Sequence, residues 1–310
     1  MYHYPYLFTR PRLYILDNLR YNFITKISSS LRREGKVEPK KIAILARPDN
    51  LEAQVYADGL RKHAATLFVS SPQDADVIVI IGGDGTMLSV VAQYQHLRKP
   101  FVGFNFGDVG FFMNPYIDPP QSIKMLQESG EHFRTQTYRL LRVVAKDIAG
   151  RERCVYAFNE ILVQRATPQS AHLDVLIDGE VINKFSGDGI IVSSPQGSTA
   201  YAQSAGGPIV HPGVAALIIV PFVAQRAWTF RSLLDAVVYP ADSRIEVKNR
   251  SQAKRPVHLL YDGKNGGIIS SVSVTVSRQK ASILYLKDSR YRTGFTQRLV
   301  DKIIGPPRED

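Results

Sequence analysis

Between residues 41 and 105 the chain alternates short, nearly continuous apolar runs with segments whose apolar positions recur every three or four residues. KIAILA (41–46), ATLFV (65–69), DVIVII (76–81) and FVGFN (101–105) predict strands, while LEAQVYADGLRKHA (51–64) and TMLSVVAQYQHL (86–97) predict helices. Val/Ile runs without polar alternation belong to strands covered on both faces, so the pattern predicts a parallel sheet flanked by helices. Ligands of such sheets sit beyond the carboxyl ends of the strands, which points to the loops after Ile81 and Phe104.

From about residue 136 the texture changes. LLRVVAKDIAGRERCVYAFNEILVQRA, LDVLIDGEVINKF with its Asp178-Gly179 turn, AVVYP, RIEVKNR, PVHLLYDG, IISSVSVTVSR and SILYLK are strand-length runs joined by turn signals. The expected fold class is an α/β N-terminal domain with a parallel sheet (1–135) followed by a β-rich C-terminal domain (136–287). SRYRTGFTQRLVDKIIG has a helical pattern, and 288–310 is expected to pack back on the N-terminal domain. Helical spacing at Leu16, Leu19, Phe23 and Ile27 predicts one more helix, solvated and packed on the first domain, or alternatively an arm for nucleic acid.

Composition bounds this picture. With 310 residues, 44% hydrophobic and 22% charged, the chain can bury a substantial core, which excludes disordered and fibrous classes. Lys plus Arg exceed Asp plus Glu by 39 − 28 = 11, so the molecule attracts anions: nucleic acid, acidic membrane or phosphorylated small molecules. A single cysteine, Cys154, excludes an internal disulfide and is expected to be a buried structural thiol in a reducing compartment. The longest apolar run, 214–224, is interrupted by Pro221 and is shorter than the roughly 20 residues of a membrane span, and residues 1–14 lack a signal-like apolar stretch. The expectation is therefore a soluble, cytoplasmic chain without a membrane partner. None of the histidines, His211 of the glycine-rich block included, shows zinc-ligand spacing, so no metal-ligating residues are assigned.

The sharpest chemical feature is Gly82-Gly83-Asp84-Gly85-Thr86, directly after one predicted strand and before a helix. Glycines admit a ligand close to the backbone, and a helix N-terminus offers unpaired N–H groups to phosphate. The loop lacks the spacing and lysine of a Walker A motif, and Leu88 stands where a dinucleotide fingerprint needs its third glycine. Asp84 in such a loop is either a catalytic or metal-binding carboxylate or a helix N-cap, and the local residues leave both open. A second block, GDGIIVSSPQGSTAYAQSAGGPIVHP (187–212), is dense in small, hydroxylated and glycine residues suited to a polar ligand. Asn159-Glu160 can bind a sugar diol or cap a turn, and 105–112 adds glycines and aromatics at the same sheet edge.

On these residues the chain resembles the NAD kinase family, the enzymes that phosphorylate NAD to NADP. GGDGT at 82–86, Asn-x-Gly-x-x-Gly-Phe at 105–111, Asn159-Glu160, the GDG…SSPQGSTAY…SAGGPI block at 187–209 and Asp262-Gly263 occur in the family's order over about residues 41–300. The resemblance implies that Asp84 is the general base for the 2′-hydroxyl of the adenosine ribose, with Gly85 touching the ligand. Asn159 and Glu160 would hold the nicotinamide-side ribose, and Asp188 the carboxamide. Thr199, Ala200, Tyr201, Ala202, Gln203 and Ser204 would line the adenine end, Tyr201 stacking and Phe111 closing one side. Ser186 and Gln196 fall at contact positions that vary in the family. It further implies ATP with Mg²⁺, or polyphosphate, as donor, a dinucleotide-binding role for 136–287, and a homodimer or homotetramer.

Gln225 stands where the family often has histidine, Arg231 is displaced by one position, and Lys264 replaces a frequent glutamine. The segment around Gln225 commonly helps build the family's oligomer. Two other readings are a diacylglycerol-type lipid kinase sharing GGDGT, which the GSTAY block opposes, and a catalytically silent NAD(P)-binding regulator, which the joint presence of Asp84, Asn159 and Glu160 opposes. The basic excess, much of it in 1–40 and beyond Lys248, then reads as substrate steering plus solvated surface, with no specific nucleic-acid partner.

Overall fold

The computed structural model describes residues 39–226 and 232–305; the helix expected around Leu16 and the displaced Arg231 lie outside them. Strands β1 (Ile42–Ala46), β2 (Val77–Gly82) and β3 (Phe101–Asn105) run parallel, with Ile42 opposite Val77 and Ile78 opposite Phe101. Helix α1 (Leu51–His63) is capped by the Asn50 side chain, which accepts from the Ala53 amide at 2.9 Å, and ends in Arg61, Lys62 and His63, complementing the helix dipole. It presents Ala53, Tyr56, Ala57 and Leu60 to Val77, Val79 and Ile81. Helix α2 (Asp84–Tyr94) presents Met87, Val90 and Val91 to Ile78 and Ile80 on the opposite face. Alternate residues of β2 thus feed two cores. Burying each of these side chains stabilises by roughly 1.5–3 kcal/mol, more than the whole range of strand propensity, so two-sided burial decides the element.

The strand expected at 65–69 does not form. Ala65–Leu67 is a 3₁₀ turn directly after α1, and only Phe68 makes a parallel bridge, to Ile42, which is too short a pairing to build a ladder.

Beyond α3 (Pro119–Gln127) and α4 (Ser129–His132) the chain is antiparallel β: β4 (Phe133–Lys146), β5 (Glu152–Ala157), β6 (Glu160–Arg165), β7 (Ala171–Ile177), β8 (Glu180–Ser193), then α5 (Tyr201–Ser204), β9 (Ala216–Ala224), β10 (Val237–Pro240), β11 (Ile245–Asn249), β12 (Val257–Tyr261), β13 (Lys264–Ile269) and β14 (Ser271–Leu286). The β7–β8 hairpin turns at Asp178 and Gly179, both with positive φ (52° and 93°), as a tight twisted hairpin requires. Asp262 (φ 44°) and Gly263 (φ 75°) make a second such turn between β12 and β13.

All strands belong to one 14-stranded sheet, because β14 pairs with β4 along most of its length, with β11 at its start, and with β3 at Ile283. A parallel α/β part is thereby followed by a β-rich part. The C-terminal α6 (Phe295–Leu299) returns to the α/β part, where Phe295 joins the cluster of Met87 and Phe111. Cys154 corrects an expectation: it is exposed, because among the described residues β5 pairs only with β4 and is a sheet edge. Among the described residues no helix is long and apolar enough to cross a membrane.

Candidate functional site

The loops after β2 and β3 meet at the carboxyl edge of the sheet. A Cβ on Gly107 would lie 2.9 Å from the Gly83 Cα, so glycine at both positions lets the two backbones touch. Gly110, at φ 63°, leaves no room for a side chain beside Asn105, whose amide nitrogen donates to the Gly107 carbonyl at 2.9 Å. Gly85 is different: a Cβ there would meet nothing within 4 Å, and the residue is exposed. Its smallness serves whatever approaches from outside.

Gly83 is the N-cap of α2, so Asp84 occupies the first helical position and is not the cap. Its two carboxylate oxygens accept the backbone N–H groups of Phe111 and Phe112, each at 2.7 Å. These charge-assisted bonds fix the carboxylate plane and leave a second lone pair on each oxygen. The Phe111 carbonyl in turn accepts from Arg298 Nη1 at 2.7 Å. Arg298, on α6, is 2% exposed, stacks 4.3 Å from the Tyr285 ring, and among the described residues keeps Nε and Nη2 without hydrogen-bond partners. Sequence reading missed Arg298, since its partner lies 187 residues away and nothing local in the F-T-Q-R pattern marks it as buried.

Phe112 carries the construction onward, its ring packing edge-on to Phe158 at 5.0 Å, next to Asn159 and Glu160. The backbone amides of Phe158 and Asn159 donate to Asp262 at 2.6 and 2.8 Å, so Asp262 orders this corner from beneath. Asp262 was visible in the sequence only as part of an Asp-Gly pair. The Asn159 Oδ1 and Glu160 Oε2 atoms are buried and lack hydrogen-bond partners. Burial, reinforced by the Asp262 carboxylate, pushes the Glu160 carboxyl up to about 8. Burial also raises Asp262, against the three amides and Lys264, which favour its charge. Asn159 Oδ1 needs a donor, while Glu160, which keeps its proton up to about pH 8, can donate as well as accept, so the pair suits a ligand hydroxyl that does both.

The glycine-rich block closes against the same corner. The Ser194 amide donates to the Asn159 carbonyl at 2.9 Å, and a Cβ on Gly197 would lie 2.3 Å from that carbonyl oxygen. Tyr201 is exposed and leans on Phe222 at 5.6 Å, while Ser204 is exposed and Thr199, Ala200 and Gln203 are half-buried. Three expected contact residues have inward side chains: Ala202 is fully buried, Gln196 Nε2 donates to the Arg139 and Phe158 carbonyls (both 2.8 Å), and Ser186 Oγ donates to Gln225 at 2.7 Å. Gln225, itself exposed, thus accepts a hydrogen bond from within its own chain. Asp188 is held by Arg165, with Nε at 2.6 Å, a partner that the sequence did not indicate. His211 packs its ring on Phe295 at 4.8 Å.

Beside Gly107 opens a cavity of about 900 Å³ lined by Val55, Phe106 and Tyr116. Together these features make an anion-ready loop, a fixed carboxylate, a polar corner short of donors, and an apolar recess.

Residues 27–131 match the ATP-NAD kinase N-terminal domain and residues 158–292 the ATP-NAD kinase C-terminal domain. The chain belongs to the NAD kinase family. Among relatives, it is 33% identical over 210 residues to an NAD kinase of Rickettsia bellii, covering 67% of this chain and 79% of that one. An NAD kinase of Hyphomonas neptunium is 36% identical over 205 residues, 66% of this chain and 77% of that one. Two solved NAD(H) kinases share the fold. Yeast NADH kinase complexed with NADH superposes with TM-score 0.72 at 22% identity, covering 87% of this chain and 89% of that one. An NAD kinase from Archaeoglobus fulgidus in complex with ATP gives TM-score 0.63 at 23% identity, over 83% and 98%.

Proposed function

We propose that this NAD kinase family member transfers the γ-phosphoryl group of ATP to the 2′-hydroxyl of the adenosine ribose of NAD, with Asp84 as the base. Asp84 accepts the hydroxyl proton, the ribose oxygen bonds to phosphorus, and ADP leaves. The observation that carries the reading is the Asp84 carboxylate, held by two amides at the mouth of a glycine loop, with lone pairs still free. Asn159 Oδ1 supplies an acceptor, and the protonated Glu160 carboxyl a group that can donate or accept, for the two hydroxyls of a ribose diol. The exposed Tyr201 ring offers a stacking face for adenine, with Thr199, Ala200, Gln203 and Ser204 beside it. Phe111 closes one side, Asp188 with Arg165 faces the carboxamide, and Ser186, Gln196 and Ala202 build the floor.

The recess beside Gly107 suits the adenine of ATP, with the phosphates on the Gly83–Gly85 turn. The donor set fits a hydrated Mg²⁺ carried on the triphosphate, since Asp84 is a single carboxylate and such ions need only one or two besides phosphate. When bound, the ion would neutralise phosphate charge. The chain divides functionally near residue 135, with 288–310 completing the first part, and works in the cytoplasm as a homodimer or homotetramer without nucleic acid. Incubation of the full chain with Mg-ATP and either NAD or diacylglycerol tests the reading. NADP forms only with NAD; phosphorylated lipid, or NAD binding without NADP, refutes it.

A further inference from the structure

Four cations with no ion-pair partner among the described residues share one cavity at the opposite end of α2 from Asp84. Arg98, Arg142, Arg278 and Lys280 line a space of about 710 Å³ with the half-buried Tyr156, and no acidic residue lines it. Among the described residues none of these four side chains has a hydrogen bond or an ion pair. The adjoining cavity of about 450 Å³ shows the ordinary arrangement, with Glu152 on Lys146 at 3.7 Å and Glu246 on Arg244 at 3.2 Å. Like charges gathered without acids repel one another and gain from a bound anion.

Two backbone features hold the cations there. The β4–β14 register breaks between Val276 and Lys280, so residues 277–279 bulge and re-aim Arg278. The bulge is pinned by the Gln279 amide donating to Ser277 Oγ at 2.8 Å and by Arg139 Nε donating to the Ser277 carbonyl at 3.2 Å. Arg98 sits at φ 55°, in the left-handed region, a conformation that costs a non-glycine residue on the order of 1 kcal/mol.

We propose that this cavity is a second anion site that binds an oligophosphate chain, free or carried by a nucleotide, outside the transfer site. Three guanidinium forks and an ammonium match phosphate oxygens in geometry and charge. Tyr156 offers a face for a base if the chain belongs to a nucleotide. The site is distinct from the transfer loop, because the 11 residues of α2 span about 16 Å between Asp84 and the turn that carries Arg98.

The test titrates the full chain with tripolyphosphate and, separately, with CTP, in wild type and in the triple variant Arg142→Ala, Arg278→Ala, Lys280→Ala. Binding at the transfer site is common to both proteins and cancels. The expected result is loss of one binding equivalent in the variant, at least ten-fold weaker, that equivalent being steeply salt-dependent in wild type, with unchanged kcat and KM for NAD. Ser282→Glu, which adds a carboxylate to the cavity without removing a cation, weakens the same equivalent if the triple variant is unstable. A CTP deficit larger than the tripolyphosphate deficit, abolished by Tyr156→Ala, assigns the chain to a nucleotide; equal deficits assign free polyphosphate. Identical isotherms for wild type and both variants overturn the proposal, whatever the outcome of the NADP assay.

Discussion

Asp84 opens α2 and Glu160 opens β6, two carboxyl groups linked through the contact of Phe112 with Phe158, yet they are treated oppositely. Asp84 has an amide on each oxygen and is fixed before any ligand arrives. Glu160 is buried beside Asp262 with an oxygen that has no partner among the described residues, and its carboxyl is pushed up to about 8. The contrast separates a group built to act from a group built to recognise. A positioned base gains from preorganisation, whereas a buried carboxyl with an unpaired oxygen lowers the stability of the free protein and recovers that loss when a ligand hydroxyl arrives.

The sharpest way to break the contrast is Asp84→Asn. Turnover is expected to fall by roughly 10²- to 10⁴-fold with NAD affinity nearly unchanged, read by steady-state kinetics beside direct NAD titration. Near wild-type turnover would remove Asp84 from the chemistry. Arg298→Met tests whether that fixing depends on the contact to the Phe111 carbonyl. We expect kcat about ten-fold lower, close to 1.4 kcal/mol, at unchanged KM for NAD, with Arg298→Lys recovering part of it. Folding stability is expected to fall by about 1–3 kcal/mol, because the Phe111 carbonyl loses its donor and the Tyr285 ring its cation, so kcat is read well below the variant's melting temperature. An unaltered kcat would mean that the 110–113 loop holds Asp84 unaided.

The smallest effect concerns Glu160. Its folded value of about 8 exceeds its ordinary 4.5, so between those values the folded chain holds a proton that the unfolded chain releases. Stability therefore falls as pH rises through that window, and Asp262, also raised, acts in the same direction. Glu160→Gln flattens the decline, seen as a smaller drop in melting temperature between about pH 5 and pH 8 without ligand. Parallel melting curves for both proteins would show that Glu160 is not the strained group.

Much of this was readable along the chain. The two-sided Val/Ile runs gave β1, β2 and β3, and the glycine loop between β2 and α2 announced the ligand edge because all its determinants are adjacent. The segment 65–69 misled because its β-branched and aromatic residues were counted without a partner strand to pair them. Cys154 misled because burial depends on whether β5 has one neighbour or two, which no local pattern encodes. The partners that tune the site were invisible for the same reason: Phe111 with Asp84, Asp262 beneath Asn159, Arg165 on Asp188 and Arg298 on Phe111 join residues 23 to 187 positions apart. Residue types announce what chemistry is available, and topology alone decides which groups are left with open valences.

Strand β14 carries a mechanical consequence. It is bonded to β4 over most of its 16 residues, to β11 at one end and to β3 near the other, so a single beam ties the parallel strands behind the Asp84 turn to the β-rich part that carries Glu160. A hinge opening between them would have to unzip that ladder. Accommodation of substrates falls to the loops and side chains above the beam, and the amides of β14 should be among the last in the molecule to exchange with deuterium.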